Sequence, residues 1–255
     1  MTAAGGTPGP VRVQLLGTGD AFGSGGRLHT CFYLAASTAR FLIDCGASAL
    51  ISMRRFGVDP NDIDTVFLTH LHGDHFAGLP FLILDYMWES RRKTTLTIAG
   101  PRRLEQRTWT LFENMFPRFP EERVTRKLKF VVLEANDTKG FNGVEVSTIR
   151  TPHTKPDISL AFRVSVGGKT VVFTGDTGWT EEIVPFCAGA DLFICECTYF
   201  DSADLDFHLN YPLIAKNRSR FNVGRMILSH VGREVHEHRS EVDIELASDG
   251  MQIEL

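Results

Sequence analysis

Residues 69–75 read Thr-His-Leu-His-Gly-Asp-His and follow directly on Asp-Thr-Val-Phe-Leu, a run with the composition of a β-strand. Three of the chain's nine histidines therefore fall within six positions, with an aspartate among them. Imidazole nitrogens and carboxylate oxygens are the donors that bind zinc and similar divalent cations. A loop at the end of a strand can turn His70 and His72 toward one ion, and Asp74 and His75 toward a second. Chance histidines in a polar loop do not account for this density. Three further side chains of the same kind share the setting, each just past a β-rich run. His153 follows VEVSTIRTP, Asp176 follows TVVFTG and His230 follows RMILS. A carboxylate such as Asp176 can bridge two cations and complete a two-metal site.

The remaining chain alternates strand-like and helix-like segments without a long linker. Strands are expected at Val11–Leu16, Thr30–Ala35, Arg40–Asp44 and Thr65–Thr69. In the second half they are expected at Lys129–Leu133, Val144–Arg150, Ser159–Val166, Thr170–Thr174, Leu192–Glu196 and Arg225–Ser229, with a last β segment near the C-terminus. Helices are expected at Ala47–Phe56, from Phe76 to about Ser90, from Arg102 to about Asn114 behind Pro101, and from Tyr211 to about Phe221. Gly167-Gly168 reads as a two-residue hairpin turn. The pattern predicts an α/β fold, a four-layer αβ/βα sandwich of two packed mixed β-sheets with helices outside. One domain is expected over residues 11–255, behind a Gly-, Pro- and Ala-rich tail, residues 1–10, expected to fray.

At 255 residues the chain can bury a sizeable core. No apolar run approaches the roughly 18 residues of a membrane span; the longest candidate, Gly78 to Trp88, is interrupted by Asp85. The first ten residues lack the basic-then-apolar order of a signal peptide, so the cytoplasm is the expected compartment. A net charge of -4 argues against a dedicated nucleic-acid binder. The five cysteines, Cys31, Cys45, Cys187, Cys195 and Cys197, read as buried reduced thiols. The basic clusters Arg91-Arg92-Lys93, Arg102-Arg103 and Arg123 to Lys129 read as solvated helix ends, partly balanced by Glu121 and Glu122, in preference to a cationic surface that steers substrate. Phe76, Phe81, Tyr86, Trp88, Trp109, Phe112 and Phe116 read as the apolar faces of two helices.

The ordered set His70, His72, Asp74, His75, His153, Asp176 and His230 resembles the metallo-β-lactamase-fold hydrolases, over nearly the whole chain. The early LLGTGDA and FLIDCG and the closing DGMQIEL are most similar to the ribonuclease Z and related phosphodiesterase branch. The resemblance implies His70, His72 and His153 on one metal, Asp74, His75 and His230 on the other, and Asp176 on both. It implies two divalent ions, zinc first, with manganese or iron as alternatives. It implies that Asp44, in FLIDCG, holds the metal loop by hydrogen bonds. It further implies a catalytic histidine in the interval occupied by His208, behind ECTYF, which resembles that branch's Glu-Ala-Thr-Phe. The usual His-Ser-Thr or His-Ala-Thr is here His-Leu-Asn. Asp201, Asp204 and Asp206 are expected to raise the pKa of His208 and keep it protonated. His29, His236 and His238 do not match, and His236-Glu-His238 is expected to be solvated in a charged tail. A homodimer, common in this branch, is compatible with it.

The same residues fit phosphodiester chemistry. Two divalent ions about 3.5–4 Å apart can bind the attacking and the leaving oxygen. A bridging water becomes hydroxide near neutral pH, and Asp74 can orient it or take its proton. His208 then protonates the leaving alkoxide. Three substrate classes compete: a small or cyclic phosphodiester, precursor transfer RNA cut by a ribonuclease Z, and a carbon–oxygen or carbon–nitrogen bond as in lactonases. Ribonuclease Z carries a long basic arm between the positions matching His153 and Asp176. Here only 23 positions separate them, filled by two strands and the Gly167-Gly168 turn. Together with the acidic net charge, this disfavours transfer RNA as partner. A phosphodiesterase on a small-molecule phosphodiester, with no membrane partner, is the leading expectation.

Overall fold

Alternation with a period of two decides which apolar side chains face which layer. In the run Cys31–Ala35, Phe32 and Leu34 join one apolar cluster, while Cys31 and Tyr33 join another. In Leu192–Glu196, Leu192 and Ile194 join the first cluster, and Phe193 and Cys195 a third. Strands apolar on both faces must be covered on both faces, which requires layers. The structure, a computed structural model, describes residues 9–118, 125–201 and 207–255. Most of the expected tail, with Glu121, Glu122, Arg123, Asp204 and Asp206, lies outside the described residues.

Two seven-stranded mixed sheets form the centre. The first holds β1 (Arg12–Gly17), β2 (Cys31–Ala35), β3 (Arg40–Ile43), β4 (Thr65–Phe67), β5 (Leu96–Gly100), β6 (Leu128–Val132) and the last strand, β14 (Met251–Glu254). The second holds β7 (Thr138–Phe141), β8 (Val144–Thr151), β9 (Ser159–Val166), β10 (Lys169–Phe173), β11 (Leu192–Glu196), β12 (Arg225–Ser229) and β13 (Glu245–Leu246). Both sheets follow one plan. In order β14-β1-β2-β3-β4-β5-β6, three antiparallel pairings precede three parallel ones. In order β7 to β13 the same succession recurs. The inner faces meet in one cluster, where Phe32 lies edge-on to Phe173 at 4.9 Å between ring centres. Each such fully buried side chain contributes about 1.5–3 kcal/mol.

Helices cover the outer faces. α1 (Ala49–Arg55), α2 (Gly73–Phe76), α3 (Leu79–Trp88) and α4 (Leu104–Met115) cover the first sheet. α5 (Ile183–Cys187), α6 (Tyr211–Asn217) and α7 (Arg233–Glu237) cover the second. The four-layer expectation therefore holds. The helix expected from Phe76 is two helices, because Pro80 starts a new first turn at α3. β5, β7, β13, α5 and α7 were not expected; all are short, and β7 carries polar and glycine residues. Asn210 caps α6, its side-chain oxygen accepting from the Leu213 N–H at 3.0 Å, as a threonine there would.

Two expectations about charge are corrected. Arg92 is not solvated: it is buried and donates to the carbonyls of Asn61, Thr94 and Thr95. His236 and His238 are solvated as expected, half-buried and exposed respectively, but at a helix and not in a tail. They sit at α7, and His238 stacks on Phe200 at 4.4 Å. All five cysteines are buried and free. Among the aromatics, Phe112 is buried with Ile83, while Trp88 remains exposed. Among the described residues, no helix is long and apolar enough to cross a membrane.

Candidate metal centre

β8, β10, β11 and β12 all point the same way, and their C-terminal ends open on one edge of the second sheet. His153 follows β8, Asp176 follows β10, Glu196 ends β11 and His230 follows β12. Across from them, His70 follows β4, and the loop continues into α2 with His72, Asp74 and His75. The crevice beyond the carboxyl ends of parallel strands is where α/β folds place their ligands. The loop must press against the turn after β3. A Cβ on Gly46 would stand 2.1 Å from the Asp74 carbonyl oxygen, so only glycine fits there. Asp44 and His230 both adopt left-handed backbone, φ 59° and 54°, which is costly for non-glycine residues.

Two groups of donors result. His70, His72, His153 and Asp176 bring one ligand atom each within 4.8 Å of one another, and so do Asp74, His75, Asp176 and His230. Asp176 is common to both. Its Oδ1 lies 3.1 Å from His75 Nε2, and its Oδ2 lies 3.4 Å from His230 Nε2 and 3.6 Å from His153 Nε2. His72 presents Nδ1, 3.1 Å from His153 Nε2. His70 Nε2, His75 Nε2 and Asp176 Oδ1 are buried without a hydrogen-bond partner. Buried polar atoms of native proteins are rarely left so, and each costs about 1–3 kcal/mol. Unpartnered lone pairs converging from nitrogen and oxygen donors fit divalent cations, one per group.

Behind the donors stand two fully buried carboxylates, Asp44 and Glu196. Asp44 accepts from the His75 Nδ1–H at 2.7 Å and from the Thr69 hydroxyl at 2.9 Å, which in turn accepts from the His70 Nδ1–H at 3.1 Å. Glu196 accepts from the His208 Nδ1–H at 2.8 Å and from the Thr198 hydroxyl at 2.9 Å, which accepts from the His230 Nδ1–H at 2.9 Å. Backbone N–H groups complete both, Thr69 for Asp44 and Thr177 for Glu196. His153 donates Nδ1–H to the Phe207 carbonyl at 2.8 Å. Proton at Nδ1 leaves the Nε2 lone pair for a cation.

The two groups differ in electrostatics. Burial and neighbouring imidazoles hold the pKa of His70 well below the usual histidine value, and burial lowers His72 and His153 as well. For His75 and His230 burial acts the same way, but carboxylates outweigh it. Asp176, Asp44 and Asp74 lift His75 well above the usual value, and Asp176 and Asp74 lift His230 to about 9.

His208 stands beside both groups, 4.7 Å from His153 and 5.6 Å from His230 between ring centres. Burial opposes its charge, yet Glu196 raises its pKa. The lifting acid is thus Glu196, not the expected Asp201, which is exposed. Glu196 and Thr198 were missed as positioning residues. Their signal was a charged residue ending the apolar run Leu192–Glu196. His29 belongs to neither donor group.

A cleft of about 320 Å³ opens over the donors, rimmed by Phe22, Tyr199, Phe207 and Lys155. This architecture, with donors from both sheets gathered at one edge, defines a metallo-β-lactamase-fold hydrolase. YhfI from Bacillus subtilis, a metallo-β-lactamase fold protein, superposes with a TM-score of 0.78 at 24% identity, covering 96% of this chain and 99% of that one. Human tRNase Z, short form, gives 0.75 at 25% identity, over 95% and 98%. Ribonuclease Z of Clostridium novyi (strain NT) is 28% identical, over 87% of this chain and 89% of its own. The profile of the Anti-Pycsar protein Apyc1 family matches residues 11–247, and the chain belongs to that family.

Proposed function

We propose that the protein is a dinuclear metal-dependent phosphodiesterase acting on a small or cyclic phosphodiester. His70, His72, His153 and Asp176 hold one cation, and Asp74, His75, His230 and Asp176 the other. Two bound divalent cations neutralise phosphate oxygens and make a water acidic enough to attack at neutral pH. Asp74, in the cleft wall, orients the attacking water. The observation that carries the reading is the His208–Glu196 pair. A histidine whose charged form is favoured by a buried carboxylate, beside the donor groups, is the acid that a departing alkoxide needs. Hydrolysis of a lactone, attacked by hydroxide, has no obvious need of it.

The ribonuclease Z relatives favour a second reading, cleavage of precursor transfer RNA. Against it stands the hairpin of β9 and β10. Gly167 and Gly168, φ 57° and 75°, close it in two residues and leave no inserted arm between His153 and Asp176. The test is hydrolysis of bis(p-nitrophenyl) phosphate by protein reloaded separately with zinc and manganese. Metal-dependent turnover is expected. Its absence, in protein holding two metals, overturns the assignment. Faster cleavage of precursor transfer RNA than of any small diester replaces it with the second reading.

A further inference from the structure

Phe22 is 89% exposed, more than any other large apolar side chain among the described residues. It rides on the segment that joins β1 to β2, and that segment is braced. The buried Asp20 carboxylate accepts from the Phe22 and Ser24 N–H groups at 3.2 and 2.9 Å, and from the Ser24 hydroxyl at 2.8 Å. Asp249 clamps both stems, accepting from the Thr18 N–H and hydroxyl with one oxygen and from the Leu28 N–H with the other. Gly25, φ 67°, lies so close on the His236 ring that a Cβ would stand 3.1 Å from it. A lone exposed apolar side chain is ordinary on a protein surface. This one is held over the metal donors. Phe22 and Tyr199 both line the metal cleft, and both line a side cleft of about 280 Å³ that shares Asp20 and Thr198 with it.

We propose that Phe22 is a specificity-determining residue, the platform on which a planar ring of the substrate stacks while the phosphodiester lies among the donors. The proposal rests on the phosphodiesterase reading above. The two clefts meet at Phe22, so a ring carried by a small diester in the metal cleft runs along Phe22 into the side cleft. Tyr199, whose backbone is bonded to Leu209 and Tyr211, supplies a second aromatic wall. An aromatic face left to water gains free energy when a ring covers it. Because the segment is already braced, that gain is not spent on ordering it. Stacking engages the face of a ring and not its edge, so the site separates substrates with a ring from those without and tolerates different rings.

The test is steady-state hydrolysis of adenosine 3′,5′-cyclic phosphate and of methyl β-ribofuranoside 3′,5′-cyclic phosphate, the same cyclic diester with a methoxy group in place of the ring. Phe22→Ala is expected to raise KM for the first about tenfold, with kcat held, and to leave KM for the second unchanged. Phe22→Leu, which keeps apolar bulk without a ring face, should behave as Phe22→Ala does, and Phe22→Trp should keep the parent KM. An unchanged KM for the adenosine diester in Phe22→Ala overturns the proposal. So does an equal rise on both diesters, which would make Phe22 a support of the cleft, and so does a parent-like KM in Phe22→Leu. Failure to cleave either cyclic diester, by protein that hydrolyses bis(p-nitrophenyl) phosphate, overturns the proposal and leaves the phosphodiesterase reading standing. Failure on all three overturns both.

Discussion

Asp44 and Glu196 come from opposite halves of the chain, yet they are wired alike. Each is fully buried, each accepts from one histidine directly, and each reaches a second histidine through a threonine hydroxyl. They differ in where the direct histidine points. Behind Asp44, His75 is enclosed among the donors with no surface left to solvent. Behind Glu196, His208 belongs to neither of the two groups that include Asp176 and lines the cleft. On the phosphodiesterase reading one device would do two jobs. A buried carboxylate that fixes a ring among other donors makes a metal ligand more basic; the same carboxylate behind a ring facing the cleft makes an acid.

The largest effect should separate those jobs. His208→Ala is expected to slow hydrolysis of alkyl diesters by about 10²–10⁴-fold. It should slow bis(p-nitrophenyl) phosphate far less, because nitrophenolate departs without a proton, and metal content should be unchanged. Rates on a series of diesters of rising leaving-group pKa check this. Equal losses across the series would mean that His208 is no acid.

Proton competition should distinguish the two donor groups next. His230 carries a pKa of about 9 and His75 lies well above the usual histidine value, so a cation entering their group must displace protons. Below pH 9, displacing the His230 proton alone makes affinity rise about tenfold per pH unit, hence about a hundredfold over two units. Lowering the pH weakens that group. The histidines of the other group have lowered pKa values and are already neutral at pH 7, so its affinity should be nearly flat there. Calorimetric titration of chelator-stripped protein at several pH values reads both slopes; equal slopes would erase the contrast.

The wiring also predicts unequal reach. Asp44 holds one histidine of each donor group, His70 through Thr69 and His75 directly. Glu196 holds only His230 among the donors. Asp44→Asn should therefore weaken both metals by about 10–100-fold, and Glu196→Gln only the second. Metal content after stepwise dialysis against a weak chelator checks this. A Glu196→Gln variant that loses both metals would show that Glu196 acts through general packing.

Much of this centre was legible because its chemistry is local. Thr69 to His75 is contiguous, and His153, Asp176 and His230 each stand just past a run of β-branched residues, so residue type and strand pattern together brought them into view. Most strands were legible for the same reason. Glu196 and Thr198 were not, because their meaning lies in contacts made 12 and 32 positions away, to His208 and His230. Acidic residues close to His208 in sequence drew attention in their place. β7 and β13 escaped because short polar strands owe their state to neighbours in the sheet. The split of the helix after Phe76 depended on a turn that periodicity does not see.

The smallest predicted effect is also the most specific. Thr69→Val and Thr198→Val replace a hydroxyl by a methyl of similar volume and leave the carboxylates in place. Each deprives one ring N–H of its acceptor, His70 in the first case and His230 in the second. The loss of one such hydrogen bond corresponds to about 1 kcal/mol, or about fivefold in affinity. Thr69→Val should therefore loosen the His70 group and spare the His230 group, and Thr198→Val should do the reverse. Thr198 also lies 3.2 Å from His208 Nδ1, so its variant should lose some activity on alkyl diesters even when saturated with metal. Thr69→Val has no such contact, and at saturating metal its rate should match the parent. If both variants shift the same metal, the resemblance of the two wirings is one of geometry alone.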